Sequence, residues 1–193
     1  LLNFIVHYMR TKYLVVLILF FLVFQTNFAQ LSRKHYLPPI TSATNDNDNV
    51  GSQFIYISTP KTKTIGFTIT AITPIGQPPI VVTGTVSNTT PFVFQIPTQG
   101  NNSQLHQNAE SSSQVTNNKG YVIDSEDVVY VSVRFRQAGG QYHAGVIVSK
   151  GLSALGTQFR AGGFIAENPT ITGYQNYISV IATENNTKIT FDV

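Results

Sequence analysis

Asp124, Glu126 and Asp127 place three carboxylates within four residues, and paired carboxylates are the working groups of glycoside hydrolysis. That chemistry needs two of them about 5 to 10 Å apart across one cleft. The segment lies between two apolar runs, Gly120-Tyr-Val-Ile123 and Val128 to Phe135. It therefore reads as a turn, where Asp and Glu satisfy backbone groups and face water. Ser153, in Gly151-Leu-Ser-Ala-Leu-Gly156, has the outline of a nucleophile elbow. The elbow requires glycine two residues after the serine and a helix beyond it. Leu155 occupies that place, which makes Ser153 a turn serine.

Metal-ligand chemistry has one weak foothold. Asp46 and Asp48, in Asp46-Asn-Asp-Asn-Val-Gly51, alternate as oxygen ligands do ahead of the glycine of a calcium loop. Val50 in the fifth place and Ile57 in the twelfth exclude an EF-hand. A looser calcium site on Asp46, Asp48 and loop carbonyls stays open beside a plain solvated loop, and no other cofactor is suggested. His35, His106 and His143 show none of the close spacings that metal ligands use. The chain has no cysteine, which excludes disulfides, zinc-thiolate sites and a cysteine nucleophile. Tyr36, Tyr56, Tyr121, Tyr130, Tyr142, Tyr174 and Tyr177 could form a sugar-stacking surface. At strand spacing, core and cross-strand packing is the favoured reading. Asn88-Thr-Thr, Asn101-Asn-Ser and Asn185-Asn-Thr match the glycosylation sequon, a frequent coincidence in an Asn/Thr-rich chain.

The opening residues set the context for this chemistry. Arg10 and Lys12 precede an apolar run from Tyr13 to Phe24, and Ala29 supplies the small residue of a signal-peptidase site. The pattern predicts an exported protein whose mature chain begins at Gln30; the run is shorter than the about 20 residues of a membrane span. Met9 reads as the start of translation, with Leu1 to Tyr8 an upstream extension. The formal charge is only +3, charged residues make up 11% of the chain, and Arg10 and Lys12 belong to the leader. So weak a balance makes no case for nucleic acid or an anionic membrane.

The elements that must position any site read as short strands. Gln30 to Pro39 reads as an extended lead-in, because Pro38-Pro39 blocks helix, and Thr41 to Ser52 as a polar loop. Phe54–Ile57, Gly66–Ile72, Ile80–Val86 and Phe92–Ile96 carry β-branched and aromatic residues at period two. Thr98 to Asn118 is a long polar loop, crossed at most by a short strand near Gln114-Val-Thr. Gly120–Ile123, Val128–Phe135, Ala144–Ser149, Phe159–Gly162, Tyr177–Ala182 and Lys188–Asp192 continue the series, with Gly139-Gly140 as a hairpin turn. Gly151 to Gly156 allows at most one helical turn. The fold class is all-β: an antiparallel sandwich or barrel-like domain of about ten short strands. Residues 1–29 are extension plus leader, 30–52 lead-in and loop, and 53–193 the β-domain. Its last strand pattern stops without a terminal loop, which predicts a longer protein.

Three segments together carry a family resemblance. They are Gly120-Tyr-Val-Ile-Asp-Ser-Glu-Asp-Val-Val-Tyr-Val131, Gly151-Leu-Ser-Ala-Leu-Gly-Thr-Gln-Phe-Arg160, and Ile178-Ser-Val-Ile-Ala-Thr-Glu-Asn-Asn-Thr-Lys-Ile-Thr190. The series resembles the IgGFc-binding protein N-terminal domain family, most specifically in Ala154-Leu-Gly-Thr157 and Ala182-Thr-Glu-Asn-Asn-Thr187. The opening, with His35-Tyr-Leu-Pro-Pro39 and Tyr56-Ile-Ser58, looks like the front of large surface proteins of Bacteroidota-type bacteria that use type IX secretion. The resemblance implies a secreted or cell-surface adhesive domain followed by further domains. Its motif residues are Gly151, Leu155, Gly156, Thr157, Glu184, Asn185, Asn186 and Thr187, and both groups also read as turn chemistry. Gly156 is expected at positive φ, letting Leu155 reach the core. Asn185-Asn186 is expected in a hairpin loop.

The expectation is a non-catalytic adhesion or recognition module. Its partner would be an extracellular glycan or protein, bound on loops such as Thr41–Ser52 and Thr98–Asn118, with neither nucleic acid nor a membrane span. A secreted carbohydrate-active hydrolase on Asp124, Glu126 or Asp127, and a structural spacer, are the alternatives.

Overall fold

The computed structural model describes residues 30–41, 50–98, 102–137, 144–162 and 177–192. The expected leader, Asp46 and Asp48, the Gly139-Gly140 turn and His143 lie outside them. Among these residues nine strands follow one another: β1 (Leu31–Leu37), β2 (Ile40–Thr41), β3 (Val50–Ser58), β4 (Ile65–Ala71), β5 (Val81–Val86), β6 (Phe92–Gln95), β7 (His106–Gln107), β8 (Tyr121–Gln137) and β9 (Ala144–Ser149). Among the described residues helix is limited to 3-10 turns, Ala109–Ser111 and Gly151–Ala154 among them. The molecule is all-β, with a seven-stranded antiparallel sheet curled toward a barrel.

Strand β8, 17 residues long, organises this sheet. On one side it pairs first with β9, from Arg136 opposite Ala144 to Val131 opposite Ser149, and then with β1, from Tyr130 opposite Leu31 to Tyr121 opposite Leu37. On the other side β3 pairs with Tyr130 to Gln137, and β4 with Tyr121 to Ser125. Thus β9 and β1 lie end to end, as do β3 and β4. Strands β6 and β5 extend β3 and β4 outward in the same way. Every row except β8 is interrupted near the middle, and there the sheet folds over on itself.

Alternating side chains explain why it folds. Ile55, Ile57, Ile65, Phe67, Ile69, Ile123, Val129 and Val131 all point inward and are buried. The Phe67 ring of β4 meets Phe92 of β6 edge-on at 4.8 Å between centroids, and Tyr121 meets Phe94 at 6.1 Å. Aromatic edges from one half of the sheet thereby close on the other half. Burial pushes the Tyr121 hydroxyl up to about 12.

Several expectations are corrected here. Residues 124–127 do not form a turn: β8 runs through them without a break. The irregularity lies in its pairing, since Ser32 and Lys34 of β1 oppose Val129 and Asp124, so β8 bulges outward there. The lead-in is also part of the sheet, because β1 pairs along the first half of β8. Phe159–Gly162, Tyr177–Ala182 and Lys188–Asp192 are not strands. Their alternation is suited to a ladder, but no described strand edge pairs with them. Phe159, Ile178 and Phe191 remain exposed.

Half of the long polar loop is likewise structural. Its strand is β7, which pairs in parallel with β2, not the Gln114–Thr116 stretch, and Val115 is fully exposed. Ser103, Leu105 and His106 are buried at one end of the core. Ser103 Oγ donates to Gln53 Oε1 at 2.6 Å, Lys119 Nζ to the Ser103 carbonyl at 2.8 Å, and Gln104 Nε2 to the Ile72 carbonyl at 2.6 Å. Side-chain hydrogen bonds supplement the short ladder here, which explains how so polar a segment can be held inside.

Candidate functional site

The three carboxylates stand at the fold line of the sheet, and each is engaged separately. Asp124 pairs with Lys34 at 3.2 Å. Glu126 Oε2 accepts the Gly66 N–H at 2.9 Å, at the start of β4. Asp127 pairs with Lys63 at 2.8 Å, lies 4.0 Å from Arg33 and accepts the Val128 N–H. The Lys63 hydrogen bond, helped by the Val128 N–H, pulls the Asp127 carboxyl down to about 2. A general acid needs the opposite shift. The group is electrostatic joinery, tying β1, β4 and the 59–64 loop to β8 where the rows are interrupted.

A second polar knot joins β9 to β1. His35 is fully buried. Its Nε2 lies 3.1 Å from the Ser32 carbonyl and 3.0 Å from that of Val129, while Nδ1 lies 3.0 Å from Ser149 Oγ. Two carbonyls at Nε2 assign the proton to that nitrogen, so Nδ1 accepts from Ser149. Burial pushes the imidazole pKa down, outweighing the two carbonyls. Gly151 closes the knot at φ 57°, and a Cβ there would stand 2.2 Å from Ser32 Cβ. The positive φ expected at Gly156 is therefore found at Gly151, where the chain needs it to pass Ser32. Leu155 is 45% exposed rather than in the core. Thr157, Glu184, Asn185, Asn186 and Thr187 are all exposed. Asn186 takes φ 61° in a turn closed by Thr187 Oγ donating to the Glu184 carbonyl, but no strands flank it.

The side-chain arrangement open to a partner lies on the outer face of the sheet, in the half built by β6, β3, β8 and β9. Inward residues there are fixed by the core, so Phe54 and Tyr56 of β3 point outward. Their ring centroids are 6.3 Å apart. Phe54 lies opposite Arg134 and Tyr56 opposite Ser132. The Arg134 guanidinium rests over the Tyr56 ring, 4.3 Å from its centroid, a cation–π stack. Val93 of β6 lies beside Tyr56, and Val146 of β9 beside Arg134; they are 48% and 59% exposed. The result is an aromatic and aliphatic platform four strands wide. Tyr56 is one of the tyrosines with sugar-stacking potential by type, whereas Phe54 and Arg134 are not singled out by sequence. Their signal was period two itself: with Ile55 and Ile57 inward, the even-numbered residues must face out.

Among the described residues no group of three or more His, Cys, Asp or Glu could hold a metal. No helix among them is long and apolar enough to cross a membrane. No family model matches the chain, and no curated protein matches it. One solved structure, the crystal structure of Thermotoga maritima 1070, aligns over 61% of this chain and 92% of its own at 14% identity. Its TM-score is 0.36, a likeness that carries no argument.

Proposed function

We propose that this chain is a non-catalytic extracellular recognition domain that binds its partner on the outer face around Phe54, Tyr56 and Arg134. The observation that carries the reading is the stack of the exposed Arg134 on the half-buried Tyr56 beside Phe54, on strands whose other faces are locked into the core. Aromatic rings and arginine held on a rigid scaffold are the residue types that dominate binding surfaces. The leader pattern and the resemblance to the IgGFc-binding N-terminal domain family support a secreted or surface setting, with an extracellular glycan or protein as partner. The carboxylates of the hydrolase alternative are occupied in holding the sheet together.

Tyr56→Ala tests the reading. The purified chain and the variant are compared for attachment to immobilised extracellular polysaccharides and to cell surfaces. The variant is expected to keep its thermal transition and to lose at least ten-fold in affinity. Unchanged attachment by a folded Tyr56→Ala protein would remove the platform from the binding function.

A further inference from the structure

We infer that the platform takes an acidic polysaccharide, with Arg134 and Arg136 reading its uronate carboxylates while Phe54 and Tyr56 carry the sugar rings. This rests on the recognition reading above and specifies its ligand. Charge distribution is the starting observation. Strands β3, β6 and β9 contain no charged residue, and β8 from Val128 onward contains only Arg134 and Arg136. The acids of β8 all lie in its first half, where Lys34, Lys63 and the Gly66 N–H engage them. The platform half is therefore purely cationic.

Neither arginine has an ion pair or acceptor among the described residues. A guanidinium held over a ring with no ion pair keeps N–H donors free, and their planar fork matches a carboxylate bidentately. Arg134 and Arg136 stand two residues apart on one face of a strand, about 7 Å along it, so they can engage carboxylates on separate sugars. The apolar C–H faces of pyranose rings pack on aromatic rings, and the half-buried Phe54 and Tyr56 present theirs side by side, with Arg134 over one face of Tyr56. Val93 and Val146 widen the apolar floor on either side.

Single-stranded nucleic acid is the other polyanion that stacks on aromatics. Its backbone asks for a track of cations along the groove, and two arginines on one strand do not make one.

The experiment is titration of the full chain with polygalacturonate, alginate and hyaluronate, beside neutral galactan and oligodeoxythymidylate, in low and high salt. The inference expects at least one acidic polymer to bind, with affinity falling as salt rises. Arg134→Gln should cost at least ten-fold and Arg136→Gln several-fold, with thermal transitions unchanged. Arg134→Lys should restore only part of the loss, because it keeps charge without the planar fork. Equal binding of neutral galactan, lost in Tyr56→Ala but untouched by Arg134→Gln, would overturn the acidic ligand and leave the recognition reading standing. Tighter binding of the oligonucleotide would overturn the ligand class. Failure of all three acidic polymers would overturn it too, and acidic binding indifferent to Tyr56→Ala would overturn both readings.

Discussion

At the scale of single residues, His35 shows how a polar side chain can serve as core. Its three contacts join β1, β8 and β9, and its one acceptor nitrogen is already matched to Ser149. Protonation would place a second donor against that hydroxyl and a charge in a buried site. The folded-state pKa lies below 6.5, so the unfolded chain binds the proton more readily. Stability is therefore whole above about pH 7 and declines as pH falls through the unfolded value toward the folded one. Urea midpoints at pH 7.5 and pH 5 should show a lower value in acid. His35→Gln, which does not titrate, should flatten that slope while losing about 1–3 kcal/mol at neutral pH through partners left unmatched. An equal slope in both proteins would assign the pH response elsewhere.

At the scale of elements, β8 bears most of the design, and its carboxylates are engaged by the elements packed beside it. Asp127 is held near 2 by Lys63 and the Val128 N–H, below an ordinary carboxyl of 3.8. A depressed folded-state value gives stability that is present above about pH 4 and lost as pH falls toward 2. Acid titration by circular dichroism should show part of that loss, and Asp127→Asn should remove it; a variant curve parallel to the wild type would deny Asp127 the role. Strands β3, β4, β5, β6 and β9 were legible to within a few residues, because Ile, Val and Phe alternate there against Thr and Ser. Strand β8 was not legible as one piece, since three acids in four residues carry turn chemistry locally, and cations from β1 and the 59–64 loop together with the Gly66 N–H of β4 make them tolerable in a strand. Strand β1 was hidden for the converse reason: in Leu-Ser-Arg-Lys-His-Tyr-Leu the inward positions include Ser32 and His35, polar residues whose distant partners come from β8, β9 and the Gly151–Ala154 turn. The platform was half legible, because Tyr56 stands out by type whereas Arg134 needs the β3–β8 register to reach it.

For the whole molecule, contacts are set by distant partners rather than by neighbours in sequence. Strand β1 closes on β8 and abuts β9, so the opening and the 144–151 region complete one row together. Residues beyond Gly156 contribute much less among the described positions. Ser179 Oγ donates to the Pro39 carbonyl at 2.6 Å, the Tyr177 hydroxyl meets the Thr41 backbone, and Ile181 is half-buried. One hydrogen bond is worth about 1 kcal/mol net, and partial burial of one Ile about another. Ending the chain after Gly156 should therefore lower the thermal midpoint by roughly 5–15 °C and keep the transition cooperative. Ending it after Gln137 removes β9, strips the second half of β8 of one neighbour and takes Ser149 and Gly151 from His35. That chain should show no cooperative transition. Scanning calorimetry of the two truncations separates these outcomes: loss of the transition in the longer one would mean that the apolar alternation of 177–192 completes the sheet, and retention in the shorter one would mean that β9 does not.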